Sequence, residues 1–236
     1  EFLQAFTVAI KPAVSDLDAR DDHTRVKLIA FLTQKYSLLV LIPAAAFLIV
    51  MGREFLTIWV GRKFQEPGLI PSMAKILSIL TVGYFFIMSQ HSNFLVLAGR
   101  GEHRVFGLMT AVEAVLCVCT AVFTVAVLEW GLTGIAWSNL VPMALVAGVI
   151  IPIYFNRKMK IPAKESLMQV WLPAVLSTLP SILLIVVWES LIPPSTWPAL
   201  FAVVAAAGTV TVVSAWFFGM GASERQRLLS VVRRVR

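Results

Sequence analysis

The chain of 236 residues is 58% hydrophobic and only 14% charged, and its mean hydropathy is +0.84. A soluble globular domain is nearer half apolar and a quarter charged, so this composition excludes one and points to a multi-span membrane protein. A net charge of +7 would suit nucleic acid on a soluble surface, but these bases sit between apolar runs, where they set membrane orientation instead.

Residues 1–10, EFLQAFTVAI, are too short to span and read as the tail of a preceding membrane helix, with Lys11-Pro12 as its exit. The start falls abruptly inside an apolar pattern without an initiator Met or a signal peptide, so the chain is expected to be a fragment. A mixed-charge segment follows, with apolar residues at Val26 and Ile29. It predicts a solvated surface helix that merges into the next span.

Six membrane spans are predicted at residues 36–52, 73–98, 106–128, 132–155, 170–191 and 197–218. Each is near the roughly 20 residues needed to cross about 30 Å of hydrocarbon. The first is bracketed by Lys35 and Arg53, with a kink expected at Pro43, and the fifth carries Pro173 and Pro180. None shows the period-two polarity of a membrane β-barrel strand, so the fold class is all-α, a polytopic helix bundle.

Lys and Arg divide sixteen against four between alternate loops. This predicts that both ends of the chain, and the turn Gly99-Arg100-Gly101, are cytoplasmic. Beyond the last span, Ser223 can cap a helix with Leu228, Val231, Val232 and Val235 on one face and arginines on the remainder. Residues 223–236 are thus expected to lie on anionic cytoplasmic lipid, their main alternative role being to dock a partner.

Five consecutive polar residues, Ser89, Gln90, His91, Ser92 and Asn93, interrupt the second span. Lipid offers them no hydrogen-bond partners, so they face either other helices or a wet cavity. Ser89 and Asn93 share a helix face, Gln90 adjoins Asn93, and five in a row cannot all meet one partner helix. Ser89, Gln90 and Asn93 are therefore substrate-cavity candidates as well as packing candidates. His91 is a candidate for proton coupling against a plain structural role. Glu113 in the third span is a functional candidate because an intramembrane carboxylate is expensive, unless it snorkels or pairs with Arg100 or Arg104. Asn139 in the fourth is either a cavity residue or a helix–helix hydrogen-bonder.

Ala144 with Gly148, and Ala202 with Ala206, are spaced for close helix approach. Trp59, Trp130, Trp171 and Trp197 fall at predicted interfaces. Cys117 and Cys119 point to different faces of one helix and read as packing. The sequence carries no catalytic triad, metal cluster, phosphate-binding glycine loop or carboxylate pair, so no catalytic residue, metal or cofactor is expected, and an enzyme is disfavoured.

Several stretches together resemble one family. These are Pro12-Ala13-Val14-Ser15 before a charged segment and a Pro-containing span, Phe55-Leu56 with Trp59-Val60-Gly61-Arg62-Lys63-Phe64, Leu97-Ala98-Gly99-Arg100, and Trp130-Gly131-Leu132-Thr133-Gly134-Ile135-Ala136. Their order and spacing are similar to the C-terminal half of polysaccharide (O-antigen type) flippases, in the multidrug/oligosaccharidyl-lipid/polysaccharide exporter superfamily. The resemblance covers about residues 1–155, and the last two spans match by position and hydropathy only.

The resemblance implies a bacterial inner-membrane transporter with two lobes and an extra helix pair, of which this chain is the C-terminal part. Residues 1–155 would belong to the C-terminal lobe, 156–222 would form the extra pair and 223–236 the basic tail. The implied substrate is a polyprenyl-pyrophosphate-linked oligosaccharide, moved by alternating access through a cationic cavity completed by the missing N-terminal lobe. A related drug or peptidoglycan-precursor exporter, and a non-transport subunit or enzyme acting on polyprenyl-linked sugars, stay open as alternatives.

Overall fold

A computed structural model describes residues 10–61, 63, 64 and 66–221. The predicted tail of a preceding helix before Ile10, Arg62 of the charge count, and the basic helix at 223–236 lie outside the described residues. All regular structure within them is helical. Eight helices follow in chain order: α1 Ile10–Ala19, α2 His23–Val50, α3 Gly52–Val60, α4 Leu69–Gly99, α5 His103–Val127, α6 Gly131–Lys158, α7 Ala163–Leu191 and α8 Trp197–Gly219. All but α1 and α3 are long and apolar enough to cross a bilayer, as a multi-pass membrane protein requires.

Two of the predicted boundaries move. Lys11 and Pro12 do not end a helix but lie within α1. The first spanning helix begins at His23 rather than near residue 36. Its start is fixed by Asp22, whose Oδ1 accepts the backbone N–H of Arg25 at 3.1 Å, an N-cap. No Gly or Pro then interrupts the chain before Pro43, so the charged segment and the apolar run form one helix.

Consecutive spans run up and down, and the short turns fix which neighbours pack. The turn after α4 is a Schellman motif: the Glu102 N–H reaches Leu97 O at 3.0 Å and the Gly101 N–H reaches Ala98 O at 3.1 Å. Gly101 takes φ 79°, which a residue without Cβ adopts cheaply. Here α2 packs along α4, α4 along α6, α5 along α6, and α7 along α2, with α8 against α7 and also touching α2.

Prolines shape the spans, and neighbouring helices repair the backbone they disturb. Two internal π-helical turns, Val146–Ile150 and Leu167–Trp171, each end two residues before a proline, Pro152 and Pro173. The wider turn gives the pyrrolidine ring room against the preceding carbonyls. Pro142 has no N–H to give to the Ser138 carbonyl, and the Thr120 hydroxyl of α5 donates to that oxygen at 3.0 Å instead.

Of the small-residue pairs, Gly148 serves close packing, since a Cβ there would stand 2.9 Å from the Phe86 ring. Ala202 is exposed; α8 packs through Leu200, Val203, Ala207 and Thr211. Trp171 packs on Phe85 with ring centroids 6.5 Å apart.

Candidate functional site

The polar run of α4 is buried among helices. Ser89 and Gln90 are 0% and 1% exposed, and Ser92 and Asn93 are 1% and 3%; His91 is half-buried. Burial without water forces such groups to find one another. The Asn93 Nδ2 donates to Gln90 Oε1 at 2.7 Å, and the Gln90 Nε2 lies 3.4 Å from the Ser89 Oγ. The Ser89 hydroxyl itself donates to the Phe86 carbonyl at 2.7 Å. From α2, the Gln34 Nε2 donates to the Ser89 carbonyl at 3.3 Å.

That last bond joins the run to a second polar block missing from the sequence-derived candidates. Thr33, Gln34, Lys35 and Ser37 of α2 are all buried. Lys35, expected to bracket the first span as a loop base, instead sits twelve residues into α2 and is 5% exposed. Its ammonium lies 5.5 Å from the Tyr36 ring centroid. Because α2 and α4 are antiparallel and meet at Gln34 and Ser89, two polar blocks share one level of the bundle. The signal was present as TQKYS, five residues that break an otherwise apolar helix, but it reads as a boundary when the helix is started too late.

Ser92 Oγ and Asn93 Oδ1 are buried with no hydrogen-bond partner among the described residues. Immediately along the same groove, toward the base-poor end, a cavity of about 410 Å³ opens between α2 and α4, lined from Leu41 and Ala44 to Tyr84 and Met88. Its walls are apolar, so the polar level stands at the end of an apolar cleft.

The other candidates do not join this hydrogen-bonded network. Asn139 is half-exposed and its Nδ2 donates to the Ile135 carbonyl of its own helix at 2.9 Å. The adjacent Leu140 packs on Gly83, seven residues and roughly 10 Å along α4 from Gln90. Glu113 shares the stripe of α5 that places Met109 and Leu116 against Val146, Ala147 and Ile151. It makes neither a hydrogen bond nor an ion pair among the described residues, and Arg100, one of its expected partners, is held elsewhere. His91 makes no hydrogen bond among the described residues. They contain no group of His, Cys, Asp and Glu placed to hold a metal.

At the base-rich end, ion pairs tie the helices together. Arg100 Nε stands 2.8 Å from Asp18 of α1, Lys27 of α2 2.7 Å from Glu165 of α7, and Lys158 contacts Glu102. The Ser15 hydroxyl donates to the Gly99 carbonyl at 2.7 Å. The Lys158 ammonium, with help from the Tyr154 hydroxyl at 3.3 Å, holds the Glu102 carboxyl below its ordinary value. No family model, no curated protein and no solved structure matches this chain.

Proposed function

We propose that this chain is the C-terminal part of a flippase that moves a polyprenyl-pyrophosphate-linked oligosaccharide across a bacterial inner membrane by alternating access. The observation that carries the reading is the paired polar level at 33–37 and 89–93, which sets a buried lysine and two orphaned polar atoms inside a bundle of membrane-length helices. Burying such groups costs free energy that packing alone does not require, and in membrane helices it accompanies a transport pathway by default. The four motifs of the resemblance support the same reading, as does the concentration of bases at one end, which would face the cytoplasm and the anionic headgroups there.

On this reading Ser89, Gln90 and Asn93 belong to the pathway wall of the cytoplasmic half. Asn139 bonds within its own helix and Glu113 lies on the stripe of α5 that faces α6, and Lys35 and His91 are the titratable side chains within the two polar blocks. The second lobe would complete the cavity.

The test replaces Gln90 and Asn93 together by Leu in the full-length protein and measures surface polysaccharide in cells that depend on it. Polysaccharide is expected to fall with protein levels unchanged. Normal polysaccharide, or loss of the protein itself, overturns the assignment.

A further inference from the structure

The base-poor end of the bundle holds a second cavity with a different lining. It has a volume of about 900 Å³ and lies between α3 and the loop that joins α7 to α8. Small-molecule sites fall at roughly 300–1,000 Å³, so it has room for a sizeable ligand. The grooves within the spans are lined almost wholly by aliphatic and aromatic carbon. This one combines two indoles, Trp59 and Trp197, with Arg53, Glu54 and Thr57.

Its geometry is set by the sequence on either side. Helix α3 is short, and its first turn carries Arg53 and Glu54 while Trp59 stands near its end. Phe55 lies between the two indoles, 5.5 Å from the Trp59 ring and 6.0 Å edge-on to Trp197. Phe55 packs on the buried core of Met51, Ile185, Leu200 and Val203, and Trp197 stacks on Phe201 at 6.1 Å. Opposite, Pro193 and Pro194 stiffen the loop wall by fixing φ. The aromatic and proline walls are thus set before any ligand arrives, which lowers the entropy cost of binding.

Two features point to a ligand and to its class. Trp59 is 62% exposed and Trp197 40%, so large aromatic faces stand open beside polar groups. Glu54 Oε2 is fully buried yet has no hydrogen-bond partner among the described residues, although a buried carboxylate oxygen ordinarily finds a donor. An aromatic face carries partial negative charge and attracts the polarised C–H bonds on one side of a sugar ring. A carboxylate accepts from sugar hydroxyls and a guanidinium donates to them. Arg53 and Glu54 cancel in charge, which favours a neutral hydroxylated ligand over an anion. An acyl chain would leave all three polar side chains unmatched.

We infer that this cavity is a binding site for a short neutral oligosaccharide, with Trp59 and Trp197 as stacking platforms and Glu54 and Arg53 as hydroxyl-binding groups. The inference rests on the proposed function, in which the base-poor end faces outward, where a translocated glycan emerges. The ordinary alternative is that the indoles anchor α3 in the membrane interface, as tryptophans at such positions commonly do.

The experiment uses the full-length protein in nanodiscs and reads saturation-transfer difference NMR with maltotriose, cellobiose and N,N′-diacetylchitobiose as probes. At least one probe is expected to show transfer to its ring C–H protons, absent with empty nanodiscs. Glu54→Gln keeps size and helix position, and is expected to weaken that binding about tenfold, the loss of one charged hydrogen bond. Trp59→Leu keeps an apolar residue at the interface and is expected to abolish the signal. Silence from all three probes, or equal binding by both variants, overturns the inference and leaves the interfacial-anchor role. Failure here with the Gln90 and Asn93 result intact would sink the glycan site alone; the converse would sink the flippase assignment while keeping a sugar-binding membrane protein.

Discussion

The Gln90–Asn93 pair allows its structural role to be separated from any role in transport. Its bond is 2.7 Å long and both side chains are at most 3% exposed, so neither can turn to water when the other is lost. Asn93→Leu keeps the branching of the side chain but leaves Gln90 Oε1 without its donor. Gln90→Leu is the more damaging single change, because Asn93 Oδ1 already has no partner among the described residues and its Nδ2 would then have none there either. A buried unmatched amide costs about 1–3 kcal/mol, and side-chain hydrogen bonds in a membrane protein average about 0.6 kcal/mol and reach about 1.7 kcal/mol. Each single variant is therefore expected to lose about 1 kcal/mol. The double variant removes both unmatched groups and should lose less than the two singles summed, by about 1 kcal/mol or more. Equilibrium unfolding in bicelles, as a double-mutant cycle, reads this directly. Costs that add to within about 0.3–0.5 kcal/mol would refute the reasoning, because independent sites behave that way.

Two further predictions concern the base-rich end. A Cβ at Gly99 would stand 2.9 Å from Val14 and 3.1 Å from the Lys11 carbonyl, so Gly99→Ala drives α1 off α4. Overpacking of about 1–3 kcal/mol outweighs the roughly 0.5–1 kcal/mol that Ala gains in a helix. Hydrogen exchange should then speed up across Ile10–Ala19 while α4 keeps its protection, and unchanged exchange in α1 would count against the close contact. Glu102, held below the ordinary value of 4.5 chiefly by its bond to Lys158, titrates lower folded than unfolded. Its contribution to stability is present above the ordinary value and lost as pH falls through the folded one. Glu102→Gln should therefore be less stable than the parent above pH 4.5, with the difference vanishing in acid; a constant difference across that window would place the effect elsewhere.

The membrane class, the number of spans and the short turns between them follow from the sequence alone. Apolar runs of about twenty residues leave a chain no soluble alternative, and backbone hydrogen bonding in lipid leaves it no form but the helix or the closed barrel. Leu97-Ala98-Gly99-Arg100-Gly101 likewise announces its turn, since the glycine that supplies positive φ is visible in the letters. The polar run at 89–93 was legible as an anomaly for the same reason. What it touches was not.

Only the packing of α2 against α4 shows that Gln34 meets it, because hydropathy locates a residue along a span and says nothing of its azimuth. The start of α2 was misplaced for a related reason. A charged, mixed-polarity helix turns into an apolar one without any breaker, and only the cap at Asp22 marks where it begins. Trp59 and Trp197 lie 138 residues apart in the chain, and separately each reads as an interface anchor. They become two walls of one cavity because α3 folds back over the loop between α7 and α8. That is a property of tertiary contact, which no local pattern encodes.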